Sequence, residues 1–493
     1  MMHDDFSSPV LGIDLGASFT KVAYRSGWQS SNDFEEPCRL VLIEGQSLIP
    51  SLVIKRMDET EPWLFGQTAA IYRPTEGDRV FANWKADLFR SDLTAKVTGS
   101  LKAAGEFFRW LLPRIIDCGI DVRQTRVKLC LPAFPNIDEP TSILGQELEL
   151  AGWNNVSFSR IEEPRANVVG VFSEGRNRLH RSANGDINPV FMWMYPLGSP
   201  LLEHLRSFVL IGGQQRMDIG IIDIGSFTTD VSIVEFDAHA EGDYIRATHQ
   251  TSHDLGIIRA FEEPLLNFLS ERHNFESANL TFDEREDLKR RFANSEVFAF
   301  TVDRHRVIRL GDPKDQEITA KIANDFASQI VTLFKSTPRS HSVKYLVLTG
   351  GGSEAKLIRE AVITLFARAQ VICMEVEGIE PTESTSEPRT ISGRPYFKDT
   401  DGIWKVGGGP KPTETTTING PLRCWTDTDS SLARLATALG AGSVILDLVG
   451  KPSGEMLPTR IEPPWVQCSC QGGNKNCIRC GGQGMYLRRE IVA

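Results

Sequence analysis

IGIIDIGSFTTDVSIVE, residues 219–235, has a near copy early in the chain, LGIDLGASFTKVAY at 11–24. In each copy an apolar strand runs into an Asp, a Gly follows two residues later, small and hydroxyl residues come next, and a second β-branched strand leaves. The pattern predicts a β-hairpin with a tight, glycine-supported tip. At such a tip, backbone N–H groups can face a phosphate that no bulky side chain blocks. Gly16, Ala17, Ser18 and Phe19 form the first tip; Gly225, Ser226, Phe227, Thr228 and Thr229 form the second. Asp14 and Asp223 stand where strand gives way to turn, suited to hold a cation or water beside that phosphate. Lys21 and Thr20 either reach the phosphate or lie solvated along the departing strand. A single Asp-x-Gly turn joins many kinds of strand. Two copies far apart predict a two-lobed nucleotide clamp, with one phosphate loop from each lobe.

Asp223 and Asp230 are seven residues apart, with the Thr228 and Thr229 hydroxyls between them. Carboxylates facing one phosphate repel each other unless a cation intervenes, which implies Mg2+ with retained waters. A third element, YLVLTGGGSEAKLIREAV at 345–362, runs a strand into Gly350, Gly351, Gly352 and Ser353, where the backbone can approach a nucleotide closely.

With these three motifs in order along most of its length, the chain resembles the actin, seventy-kilodalton heat-shock chaperone and sugar-kinase superfamily of ATPases, and within it the chaperone ATPase domain most closely. The resemblance implies an α/β, two-lobed actin-like (ribonuclease H-like) fold with ATP or ADP and Mg2+ in a cleft between lobes. Lobe I would span 9–217 with an insertion at 173–217. Lobe II and a hinge helix would span 218–449 with a polar insertion at 377–428, and a tail would occupy 450–493. VFANWKADLFR at 80–90 is similar to the chaperone segment whose Lys helps orient attacking water, and the matching residue is Lys85. Read alone, Lys85 is equally the polar face of a short helix. The Glu-Pro step at Glu163 and Pro164 resembles the first connection between lobes, where the Glu positions water. On sequence alone it is an acidic helix start. With Asp14, Asp223 and Thr228, these two residues make the expected catalytic set.

The resemblance also has gaps. The Arg that stacks on adenine in the chaperones is Ala355 here. Candidates for the adenine-gripping helix are Lys289, Arg290 and Arg291, although a solvated basic face is the better reading of those three. SLARLATALGAGSVI at 431–445 is a helix with a small-residue face, similar to the second inter-lobe connection, where two helices cross closely and act as a hinge. About fifty residues follow, too few for the chaperones' peptide-binding domain and lid.

A chain of 493 residues predicts two to three domains, at roughly 100–200 residues each. Its 41% hydrophobic and 24% charged residues are those of a soluble globular protein. The formal charge of −10 argues against a dominant nucleic-acid or acidic-membrane surface. No apolar run is long enough to span a bilayer, and MMHDDFSSPV lacks the form of a secretory signal, so the expected compartment is the cytoplasm. Cys38, Cys118, Cys130, Cys373 and Cys424 are scattered and read as reduced and packed.

Cys468, Cys470, Cys477 and Cys480 crowd into CSCQGGNKNCIRC. The CxxCxGxG half is similar to the zinc repeat of J-domain co-chaperones, and the CxC half departs from it. Four thiolates predict a closed, structural Zn2+ site, with disulfides or a redox CxxC as rivals. The expected activity is slow ATP hydrolysis in a chaperone-like switch that signals to a protein partner through the zinc tail or the insertions. An actin-like filament subunit, a small-molecule kinase and a non-catalytic nucleotide-binding scaffold are the alternatives.

Overall fold

The computed structural model describes residues 8–25, 38–57, 62–89, 95–134, 138–153, 157–171, 216–239, 242–303, 306–366, 370–373 and 432–442, with short strands at 389–391, 394–398, 404–406, 422–423, 457–458, 465–467 and 485–487. The protein is mixed α/β and contains several sheets. Among the described residues no helix is long and apolar enough to cross a membrane. The 173–217 insertion lies outside them except for the first residues of a strand beginning at Arg216, and the four clustered cysteines lie outside them too. The strands flanking those cysteines, Trp465–Gln467 and Met485–Leu487, pair antiparallel.

Two sheets dominate, and they share one strand order. In the first, β1 (Val10–Leu15) pairs antiparallel with β2 (Phe19–Arg25) and parallel with β3 (Arg126–Leu131), which pairs parallel with β4 (Ser157–Glu162). In the second, β5 (Arg216–Ile224) pairs antiparallel with β6 (Thr229–His239), and β6 with β7 (Gly242–His253). On its other side β5 pairs parallel with β8 (Val343–Thr349), and β8 with β9 (Gln370–Cys373). The near-continuous apolar runs of β1, β3 and β5 fit this arrangement, because central strands covered on both faces have no polar side to show.

Helices cover the outer faces. Phe107, Phe108, Leu111 and Ile115 of the helix Ala95–Asp117 pack with Leu11, Ile13, Leu129 and Leu131. Phe326, Ile330 and Phe334 of the helix Pro313–Ser336 pack with Ile222, Ile224, Leu346 and Leu348. That second helix begins on Asp312, whose carboxylate accepts from the Lys314 and Asp315 amides.

Between the sheets two short helices exchange places. α2 (Glu163–Val169) follows the first sheet's β4 and packs on β6 and β7 of the second, whereas α4 (Leu432–Gly442) packs on β1 and β2 of the first. Val168, Val171, Leu435 and Leu439 join Ile219, Ile221, Val234 and Ala23 in the core they share. The helices touch backbone to backbone: a Cβ on Gly170 would overlap the Ala436 carbonyl, and one on Gly440 the Ala166 carbonyl. The small-residue face read from the sequence is therefore a close crossing.

Over one end of the molecule the small sheet Val53–Lys55, Trp63–Phe65 and Arg79–Phe81 carries α1 (Trp84–Phe89) and the turn-like helix Gly66–Ile71. It meets α3 (Phe282–Ala293), which opens on a capping box between Thr281 and Glu284. Gln67 donates to Asp283 at 2.8 Å, Arg73 to Glu284 at 2.6 Å, and Phe19 meets Phe282 edge-on at 5.4 Å.

Because backbone cannot yield to an added methyl, Gly440→Ala is expected to destabilise the protein by about 3 kcal/mol, the upper part of the usual overpacking range. Denaturant unfolding beside Ala438→Gly, a change on the same helix that adds no atoms, checks it.

Candidate functional site

Both hairpin tips, α1, α2, α3 and α4 converge on one cleft of about 770 Å³, counted out to its open mouth. Asp14, Gly16, Ala17, Phe19 and Lys21 line it from the first hairpin, and Asp223, Gly225, Ser226, Phe227, Thr228 and Asp230 from the second. Lys85, Glu163, Gly350 and Gly351 line it too. Four expected residues stand behind the wall. The Ser18 carbonyl accepts from the Ser51 amide at 2.9 Å, and Thr229 donates to the Leu255 carbonyl at 2.5 Å. Ser353 donates to the Gly350 carbonyl at 2.8 Å, and Gly352 is packed against Ile224 and Ile257.

The tips are held through their carbonyl oxygens. Ser51 Oγ donates to the Gly16 carbonyl at 2.7 Å, and the Ile257 and Ile258 amides donate to the Gly225 and Ser226 carbonyls, each at 3.0 Å. Carbonyls that would repel an anion are thus engaged by the protein. Gly350 has φ +82°, and a Cβ there would strike Asp223 Oδ1, so no other residue fits beside that carboxylate. Thr20 is buried and pairs with Ser51 at 2.9 Å; of the two polar residues leaving the first tip, Lys21 is the one at the cleft.

Charge is unbalanced among these groups. Lys21 bonds Asp14 at 2.7 Å, and the buried Lys85 pairs with the buried Glu163, whose other oxygen lies 3.5 Å from Thr228 Oγ1. Two lysines therefore serve four carboxylates: Asp14, Glu163, Asp223 and Asp230. On Glu163, Asp223 and Asp230 the excess favours the proton. Burial raises the Glu163 carboxyl, with Asp14 adding to it against the pull of Lys85. Burial also disfavours charge on Lys85, yet Glu163, Asp14 and Asp230 outweigh it and hold the ammonium above its usual range. Asp230 is pushed well up by burial, Glu163 and Asp223. Asp223 is raised to about 7 by burial, opposed by Lys21 and reinforced by Asp14 and Glu163.

This donor set suits a divalent cation. Asp230 Oδ1 is buried without a hydrogen-bond partner, and a double positive charge would offset the two uncompensated carboxylates. Among the described residues no group of three or more His, Cys, Asp or Glu stands ready-made for a metal. Magnesium needs only one or two protein carboxylates, because it keeps its waters and binds phosphate oxygens.

At the far side of the cleft the structure adds residues that the sequence reading passed over or set aside. Lys289 is not solvated: it lines the cleft and pairs with Glu286 and, at 3.2 Å, with Glu262. Arg290 and Arg291 do pair at the surface, both with Asp287. The i, i+3 spacing of Glu286 and Lys289 on α3 was the available signal. Arg434 of α4 also lines the cleft, bonded to Glu354 at 2.5 Å and beside Gly351. It brings a guanidinium to the side from which Ala355 is missing one. Of the cysteines among the described residues with described burial, Cys38 and Cys130 are packed as expected, but Cys118 is exposed.

No protein-family model matches the chain, and no curated protein matches it. Residue chemistry and geometry alone carry the functional reading.

Two measurements probe this charge arrangement. In the unfolded chain an aspartate ionises near pH 4, whereas native Asp223 holds its proton until about pH 7. Between those values the unfolded state gains by ionising and the native state does not, so this carboxyl's contribution to stability is lost as pH rises through the window. The nucleotide-free, metal-free protein is expected to melt several degrees lower above that window than inside it, and Asp223→Asn to flatten the difference. Lys85→Met alone leaves Glu163 buried without its partner and is expected to cost about 3 kcal/mol, much of it recovered in Lys85→Met/Glu163→Gln. Urea unfolding of the single and double variants measures the coupling.

Proposed function

We propose that the chain is an ATP-binding, slowly hydrolysing molecular switch of two-lobed, actin-like architecture, related to the chaperone ATPases, that signals its nucleotide state to a protein partner. One observation carries the reading: two hairpin tips from two sheets of the same strand order meet at one cleft beside the buried Lys85–Glu163 pair. A kinase would need a second carboxylate base set beside an acceptor pocket. Here the carboxylates crowd at the tips, and two are tied to lysines.

In this reading the tips cradle the β- and γ-phosphates. Magnesium supplies the positive charge that lets a polyphosphate enter a cleft with surplus carboxylates. Lys85 and Glu163 hold a water in line with the γ-phosphate, Glu163 taking its proton, and Thr228 keeps the carboxylate turned toward it. Lys289, Glu286 and Arg434 face the nucleoside. Closure of the cleft passes through the α2–α4 crossing, and the tail, with Zn2+ on Cys468, Cys470, Cys477 and Cys480, offers the partner a docking module.

Phosphate release by the purified protein, wild type beside Asp223→Ala, with light scattering followed in the same cuvette, tests the reading. Slow release that needs Mg2+, falls at least about tenfold in the variant and leaves scattering flat is the expected result. Scattering that rises with ATP and falls on hydrolysis would instead favour a filament. ATP binding with no release from either protein would leave a non-catalytic scaffold.

A further inference from the structure

Asp223 is held from both crossing helices. Asn167 Nδ2, on α2, donates to Asp223 Oδ2 at 2.7 Å and to Thr349 Oγ1 at 3.0 Å, and lies 3.2 Å from Thr437 Oγ1. Thr437, on α4, donates to the same Asp223 oxygen at 3.1 Å. All four side chains are buried, and Thr349 closes the last strand position before Gly350. This junction joins α2 and α4 to β5 through one carboxylate oxygen, and to β8 through Asn167, while Asp223 Oδ1 lies beside Gly350 at the cleft.

Position matters as much as bonding. Asn167 is four residues beyond Glu163, so one face of α2 presents the Glu that pairs with Lys85 and the Asn that holds Asp223. Thr437 is three residues beyond Arg434, so one face of α4 touches both the nucleoside side of the cleft and Asp223. The helices cross within the next turn of each, at Gly170 and Gly440. A change in that crossing must move Asn167 and Thr437 against each other, and Asp223 is bonded to both.

We propose that Asn167 and Thr437 are positioning residues, which fix Asp223 toward the bound phosphates and convert the setting of the helix crossing into the competence of the site. The proposal rests on the ATPase reading above. A purely structural role is its rival, since buried polar groups bond to one another in any core. The rival predicts that losing the bonds lowers stability; the proposal predicts a slower chemical step even where stability is kept.

Thr437→Val keeps the shape and removes the hydroxyl, and Thr437→Ser keeps the hydroxyl and removes the methyl. Steady-state phosphate release against magnesium-ATP concentration is measured for wild type, both variants and Asn167→Ala, with melting temperatures alongside. The expected result is a kcat about tenfold lower in Thr437→Val and Asn167→Ala, KM within about threefold of wild type, and Thr437→Ser close to wild type in both. A kcat unchanged in Thr437→Val, or lowered equally in Thr437→Ser and Thr437→Val, would overturn the positioning role while leaving the ATPase reading intact. A wild type that binds ATP without releasing phosphate would sink the ATPase reading alone. The clamp is then read from the gain in ATP affinity that Mg2+ confers: reduced in Thr437→Val but not in Thr437→Ser supports it, and equal gains overturn it. A wild type that neither releases phosphate nor binds ATP overturns both.

Discussion

The fold depends on a contact with no side chains in it. Where α2 and α4 cross, Gly170 meets the Ala436 carbonyl and Gly440 the Ala166 carbonyl, and Gly12 of β1 lies against Ala441 and Gly442. Gly170, Gly440 and Gly12 are each needed for space, because another backbone occupies the position of the Cβ. The close approach lets two sheets share a core only two short helices thick, with Val168 and Val171 from one side and Leu435 and Leu439 from the other. It also brings the ends of β1 and β5 near enough for one cleft to be walled by both hairpins. A wider crossing would part Asp14 from Asp223.

The second constraint is electrostatic, and it opposes the first. Tight packing buries Asp14, Glu163, Asp223 and Asp230 together, with Lys21 bonded to Asp14 and Lys85 to Glu163. Unpaired buried charge is costly unless a proton or counter-ion intervenes. Glu163, Asp223 and Asp230 respond by holding protons to higher pH, which is the least disruptive relief. A cation arriving with its ligand gives the same relief and can displace those protons. Ligand-linked stability then follows from burial, since whatever binds the folded cleft and not the open chain favours the folded state.

Much of this was legible in the sequence because its signals are local. The repeated strand–Asp–x–Gly–strand units specify hairpins within themselves, and β1 with β2 and β5 with β6 pair antiparallel as expected. The strand and glycine run within 345–362 is likewise local. What sequence could not show is which side of a charged helix meets another element. LKRR at 288–291 reads as one basic surface, yet Lys289 turns into the cleft while Arg290 and Arg291 stay on Asp287, because Glu262 arrives from a different helix. Arg434 and Thr437 were hidden for the same reason. They stand in a helix whose Ala and Gly content reports packing, and their chemistry appears only once α4 is laid against β1, α2 and the Gly350 turn. Asn167 sits in a short apolar stretch, ANVV, with no motif to flag it.

The contacts that close the cleft differ in strength from those that build the sheets. Over the open end, Arg73 with Glu284 is an exposed pair and Gln67 with Asp283 is partly so. Exposed pairs of this kind contribute about 0–1 kcal/mol each. The apolar part of the same contact is small: Leu52, Ile54 and Ala69 with the edge of Phe282. Each sheet rests instead on more than a dozen buried aromatic and aliphatic side chains. On these magnitudes the roof between the small sheet and α3 yields well before either core. α3 is also the helix that presents Glu286 and Lys289 to the cleft, about one turn from its capping box. Roof and this wall of the cleft therefore belong to one helix, and a ligand that engages Lys289 resists opening at Asp283 and Glu284 without touching either residue.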